Sequence, residues 1–225
     1  MGRLSILSQS QHAFKDRKEA GKILAQQLNG FKKSNPVVLG IPRGGLIVAK
    51  EVADFLCAQL DIVLSRKLGA PGNPELAIGA ISEDGKLFLN EVLAAQLDTH
   101  NTYIQKEKEY QLAEIKRRTK LFRTVRPKVS LKQRTVIITD DGVATGATMQ
   151  AATWAVRQEG ADKVIVALPV GPQSTLTRLA EDTDQVICLK APVLFSAVGQ
   201  FYDCFDQTED EEVINILKEN FGKQS

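Results

Sequence analysis

Short apolar runs that alternate with helical patterns constrain this chain more than any other feature. PVVLGI (36–41), DIVLSR (61–66), RTVIITD (134–140), KVIVALPV (163–170) and QVICLK (185–190) are β-rich and apolar nearly throughout. Strands covered on both faces read this way, whereas half-solvated strands alternate. Helical periodicity fills the gaps between them. Residues 17–31 place Ala20, Ile23, Leu24, Gln27 and Leu28 on one face, and 45–60, 146–159 and 173–182 supply further helices. Strands spaced by helices predict an α/β fold, an open and mostly parallel sheet with helices on both faces. Ligands of such sheets bind at the carboxyl ends of the strands. ISEDGKLFLN (81–90), centred on Asp84–Gly85, predicts a hairpin.

Two segments break the pattern. Residues 91–128 form a long helical insertion whose second half is basic, with Lys116, Arg117, Arg118, Lys120, Arg123, Arg126 and Lys128. A solvated helix face or a contact between copies is the first expectation for that run, and an RNA contact the second. The tail, 191–225, is Phe-rich, then acidic, and ends in the amphipathic EDEEVINILKEN (209–220).

A net charge of +2 makes no case for a general nucleic-acid binder, and no apolar run approaches the ~18 residues of a membrane span. Cys57, Cys188 and Cys204 are widely spaced and odd in number, which suits a reducing cytoplasm better than a disulfide framework or a zinc site. His12 and His100 sit in polar surroundings without metal-ligand spacing.

The chemistry concentrates in VIITDDGVATGATM (136–149). Apolar residues and a threonine run into paired acids, Asp140 and Asp141, with no basic residue in the next seven. Adjacent carboxylates raise each other's pKa, so a partner outside the chain is expected to gain from them. The glycine-rich loop that follows opens a helix, whose N-terminus offers unpaired N–H groups to a phosphate. Gly142 and Gly146 let the backbone approach closely, Thr145 and Thr148 add hydroxyls, and the acids accept from the paired hydroxyls of a ribose. The loop therefore reads as a sugar-phosphate cradle. It is neither a Walker loop, having no Lys-Ser/Thr after the glycines, nor a dinucleotide fingerprint.

Apolar strand, paired acids and GVATGAT together resemble the signature of the type I phosphoribosyltransferases, which bind phosphoribosyl diphosphate. GIPRGG (40–45) resembles their diphosphate loop, and SRKLGAPGNPELAIGAI (65–81) their flexible catalytic loop. The combination DRKEAG, GIPRGG, RKLGAPGNPELAIGA and DDGVATGAT is similar to bacterial members whose base substrate is unassigned. Taken alone, PRGG is a common turn and Arg66–Lys67 is equally a solvated pair; their order along the chain carries the resemblance.

The resemblance implies a single domain over 1–225, with a core at about 34–90 and 129–190, the insertion 91–128 and a small C-terminal hood at 191–225. It implies transfer of a phosphoribosyl group to a nitrogenous base with release of diphosphate. The diphosphate falls to Arg43, Gly44, Gly45, Arg66 and Lys67. Ribose 5-phosphate falls to Asp140, Asp141, Gly142, Val143, Ala144, Thr145, Gly146, Ala147 and Thr148. Arg66, Lys67, Asp140 and Asp141 are the candidate catalytic residues. Mg²⁺ is the implied cofactor, met by Asp140 and Asp141 through water. Leu68 to Ala77 form the implied hinged lid, and Pro42–Arg43–Gly44 is where a strained peptide is expected. Phe195, Val198, Phe201 and Tyr202 are candidate base-binding residues, equally suited to the core of the tail. A homodimer follows from family habit. The competing expectation is a non-catalytic regulator that binds the same donor and contacts nucleic acid through the basic helix.

Overall fold

The structure, a computed structural model, describes residues 2–222, apart from the side chains of Pro74 and Glu75. The side chains of those two lid positions, and Lys223 to Ser225 of the tail, lie outside what is described.

Among the described residues, nine strands and seven α-helices follow in chain order. The first are β1 (Arg3–Ser8), α1 (Arg17–Gln27), β2 (Val37–Gly40), α2 (Gly45–Leu56) and β3 (Gln59–Ile62). Next come β4 (Ser65–Ala70), β5 (Asn73–Ser82), β6 (Leu87–Leu89), α3 (Glu91–Gln96) and α4 (Asn101–Phe122). The last are β7 (Thr135–Thr139), α5 (Ala147–Gln158), β8 (Lys163–Val170), α6 (Gln173–Asp182), β9 (Gln185–Lys190) and α7 (Asp210–Gly222).

Six strands make one parallel sheet in the order β1-β9-β8-β7-β2-β3. Their apolar runs supply both faces by simple alternation. Val38, Ile137, Ile165 and Ile187 pack with α1, α2 and α7, while Leu39, Ile138, Val166 and Val186 pack with α5 and α6. The predicted fold class therefore holds.

Three local expectations need correction. Residues 61–66 are not one strand: the main sheet ends at Ile62, and Ser65 begins a separate antiparallel sheet, β4-β5-β6. The helix predicted over 17–31 stops at Gln27, and Asn29–Ser34 continues as a 3₁₀ helix. Strand β1 was not anticipated, because RLSILS is short and half polar; it gains its place by parallel pairing with β9.

The expected lid is a β-hairpin, β4-β5, that turns at Pro71–Gly72, where Gly72 takes φ +74°. A positive φ of this size is open to glycine at no steric cost. Its core explains the insertion. Leu68, Ala70, Ile78 and Ile81 bury against Ile104 and Ile115 of α4, and Ala77 and Ala80 pack on Ala151 and Trp154 of α5. An isolated hairpin is marginal in water, so the inserted helix supplies the apolar face that the lid lacks.

The cysteines follow their burial. Cys57 and Cys204 are exposed, whereas Cys188 is buried in β9 and burial pushes its thiol up to about 12. Only the thiolate is nucleophilic. At pH 8 a chromogenic disulfide reagent should titrate two thiols of the native chain rapidly and the third only on unfolding; three fast thiols would contradict this packing. No helix among the described residues is long and apolar enough to cross a membrane.

Candidate active site

Strands β2 and β7 are neighbours in register, with Gly40 opposite Thr139. Their carboxyl ends therefore release two loops side by side, Ile41–Gly45 and Asp140–Gly146. The Ile41 N–H donates to the Thr139 carbonyl at 3.0 Å, tying the first loop to the second strand. Beyond it the Pro42–Arg43 peptide is cis, within the segment singled out from the sequence. The glycines then press directly on the acids. A Cβ at Gly45 would meet Asp140 Oδ1 at 2.7 Å and its Cα at 2.8 Å, and one at Gly44 would collide with Asp141 Oδ2. Only glycine permits this approach.

The second loop is braced from outside. Thr175 Oγ1 donates to the Ala144 carbonyl at 2.8 Å, and Arg178 donates to the Thr145 carbonyl. Gly146, at φ +76°, precedes α5, whose first turn carries no side-chain cap. Its N–H groups are left to an anion. Thr145 and Thr148 are exposed, and Val143 and Ala147 are buried.

The acids sit in a low-dielectric setting. Burial, then the neighbouring Asp141 charge, pushes Asp140 well above the usual carboxylate range, although it accepts the Asp141 N–H at 2.9 Å. Burial also raises Asp141, held back by Arg17, whose Nε donates to Asp141 Oδ2 at 2.8 Å. Arg17 comes from α1, donates to the Asp206 carbonyl at 2.8 Å and lies 3.9 Å over the Phe205 ring. Tyr202 adds a hydrogen bond from its hydroxyl to the Asp141 carbonyl at 2.5 Å. Arg17 was not among the site residues expected from sequence; its only signal was the DRKEAG segment in the resemblance.

Arg66 and Lys67 follow Ser65 in the first half of β4, and with Pro42, Thr148, Gln111, Ile115 and Arg118 they line a cleft of about 190 Å³. Arg66 Nε donates to Gln111 Oε1 at 2.9 Å. Arg43 reaches outward, its Nη1 lying 3.6 Å from Glu209 and 3.9 Å from Asp210. The structure thus brings the diphosphate candidates and the paired acids to one sheet edge.

The hood candidates divide. Phe201 is fully buried and stacks on Phe195 at 5.4 Å, and Tyr202 is 6% exposed between Phe14 and Phe205. Neither offers a free ring face, which corrects their assignment as base-stackers. Phe195 is half-buried, and Val198 packs over Gly142.

The basic run divides at the end of α4: Lys116, Arg117 and Lys120 form the expected solvated face, and the basic residues beyond the helix turn inward. Arg123 pairs with Asp61 at 2.6 Å and Glu83 at 2.9 Å, and Lys128 reaches Asp84 at 2.7 Å and Glu159 at 2.8 Å. Arg126 is 2% exposed, its guanidinium 5.4 Å from the Phe221 ring. Lys116, Arg117 and Lys120 remain exposed, a sparse surface for a polyanion.

A parallel sheet that carries an acid pair and a glycine-rich helix entry at its carboxyl edge, with a hairpin beside them, is the type I phosphoribosyltransferase architecture. A model of the phosphoribosyl transferase domain matches residues 10–198. The chain belongs to that family. It is 47% identical over 204 residues to proteins of two Mycobacterium tuberculosis strains, CDC 1551 and H37Rv, provisionally named phosphoribosyl transferases. That match covers 91% of this chain and 46% of each relative, so the chain spans about half their length. The crystal structure of TT1426 from Thermus thermophilus is 45% identical and superposes with a TM-score of 0.87, covering 92% of this chain and 98% of that one.

Proposed function

We propose that the chain transfers the phosphoribosyl group of 5-phosphoribosyl 1-diphosphate to a nitrogenous base. The contact of Gly44 and Gly45 with Asp141 and Asp140 carries this reading, because it fuses the diphosphate loop and the sugar-binding acids into one site. In the transfer the anomeric C–O bond breaks, diphosphate leaves with its electron pair, and a ring nitrogen of the base bonds to the anomeric carbon. The base's N–H proton is lost to solvent or to the leaving group.

Each residue class has a place in that sequence. The N–H groups of Ala144 to Thr148 and the α5 dipole hold the 5-phosphate, the Val143 N–H being taken by the Val170 carbonyl at 3.0 Å. Arg43, Arg66 and Lys67 neutralise the diphosphate as its charge grows. Asp140 and Asp141 accept from the ribose hydroxyls and favour positive charge at the anomeric carbon. The hairpin β4-β5 excludes water that would otherwise take the sugar.

Members of this family generally use Mg²⁺ with the donor, and the acid pair fits that ion. Its donors are hard oxygens, yet no group of three or more acidic, His or Cys residues that could hold a metal occurs among the described residues. Asp140 and Asp141 would therefore hold an ion that keeps most of its ligands from water and substrate. The ion's contribution is to neutralise diphosphate charge.

The acceptor is a nitrogenous base that the hood admits beside Phe195 and Val198. Incubation with donor, Mg²⁺ and a panel of purine and pyrimidine bases should release diphosphate only when the right base is present. Absence of base-dependent release across the panel, with no heat on mixing donor and protein, would overturn the reading.

A further inference from the structure

Helix α4 lines the cleft with one stripe of side chains. Gln111, Ile115 and Arg118 stand at i, i+4 and i+7, the spacing that places residues on one helix face. Ile115 is buried in the lid core and fixes the helix against β4. Gln111 is itself oriented: its Nε2 donates to Glu107 Oε1 at 2.8 Å, which leaves Oε1 to take Arg66 Nε at 2.9 Å. Two turns on from Gln111, Arg118 enters the same cleft with Pro42, Arg66, Lys67 and Thr148 around it.

Its surroundings are unfavourable for a cation. Partial burial, and then the charges of Arg66, Arg117 and Arg43, disfavour the charged guanidinium, and Asp210 offsets them only in part. Among the described residues Arg118 makes no ion pair or hydrogen bond. Arg123, five residues later on the same segment, is neutralised by two carboxylates. Asp210 is thus an incomplete offset for Arg118, and an anion entering the cleft would complete it. The neighbouring loops admit a polyanion here, and arginine forks match phosphate oxygens.

We infer that Arg118 is a diphosphate-contacting residue, supplied to the donor site by the inserted helix. The inference rests on the donor reading proposed above, and it makes the insertion part of the site as well as the support of the lid.

Titration calorimetry with inorganic diphosphate plus Mg²⁺, and separately with ribose 5-phosphate, tests it on the full chain. Losing one charge-assisted contact, Arg118→Ala should weaken diphosphate about tenfold to a hundredfold. Ribose 5-phosphate affinity should fall much less, because of the loop assigned to that ligand only Thr148 reaches this cleft. Arg118→Lys should recover part of the loss. Arg117→Ala, one position round the helix and facing solvent, should change diphosphate binding little, which separates a contact from general charge. Wild-type diphosphate affinity in Arg118→Ala would overturn this inference and leave the transferase reading standing. Equal losses in the Arg117 and Arg118 variants would overturn it too. If the unaltered chain bound neither ligand, the donor reading itself would fall, and this inference with it.

Discussion

Arg123→Ala should lower the melting temperature by roughly 6–20 °C. Its guanidinium joins Asp61 of β3, which is 1% exposed, to Glu83 just after β5. Burial acts to lower the Arg123 pKa, yet Asp61 and Glu83 outweigh it and hold the group raised. Truncation leaves buried Asp61 without this salt bridge and Glu83 with Lys128 at 3.6 Å, and breaking a buried pair costs about 3–5 kcal/mol. For a chain of this size each kcal/mol moves the midpoint by about 2–4 °C. Asp61 also accepts the Val129 N–H at 2.9 Å, so this cluster pins the exit of the insertion to the main sheet. Adding Asp61→Asn to Arg123→Ala should therefore destabilise far less than the sum of the two single changes. A midpoint shift of under about 2 °C in Arg123→Ala, by thermal circular dichroism, would refute the assigned pinning role.

Asp141→Asn should cut kcat/KM for base-dependent diphosphate release by about a hundredfold to a thousandfold, the scale set by losing one preorganised electrostatic group. Asparagine keeps the shape and an acceptor for Arg17 Nε, so the packing around the Gly44 backbone survives. What it removes is the negative charge beside the sugar. The melting temperature should change much less than in Arg123→Ala. Unchanged kcat/KM would show that the acid pair does not act on the donor. Loss of folding would show instead that the Arg17 ion pair is chiefly structural.

Where chemistry was local, the sequence was legible. Asp140 to Thr148 and Gly40 to Gly45 follow strands whose apolar runs are unmistakable, and parallel topology then brings them together. Strands β8 and β9 and helix α6 fall at their predicted bounds. What escaped was long-range. Arg17 meets Asp141 across 124 positions, and nothing in an amphipathic helix distinguishes that arginine from its neighbour Lys18. Arg66 meets Gln111 across 45, over a connection whose packing depends on the lid. Arg123, Arg126 and Lys128 misled because a charge reads as solvent-facing until its partners are known. Asp61, in an apolar strand, was the visible cue that a cation must come to it. The hood aromatics escaped for the converse reason: a ring suits core and ligand alike, and burial alone separates Phe201 from Phe195.

Strand β1 sets a timetable for synthesis. Among the described residues it pairs with β9 alone, and Ser8 Oγ donates to the Leu189 carbonyl 181 positions away. A ribosome working at about 5–20 residues per second needs roughly 10–40 s to cover that distance. Throughout that interval the emerged strand has no neighbour to join. This edge of the sheet is therefore assembled from parts of the nascent chain made far apart in time.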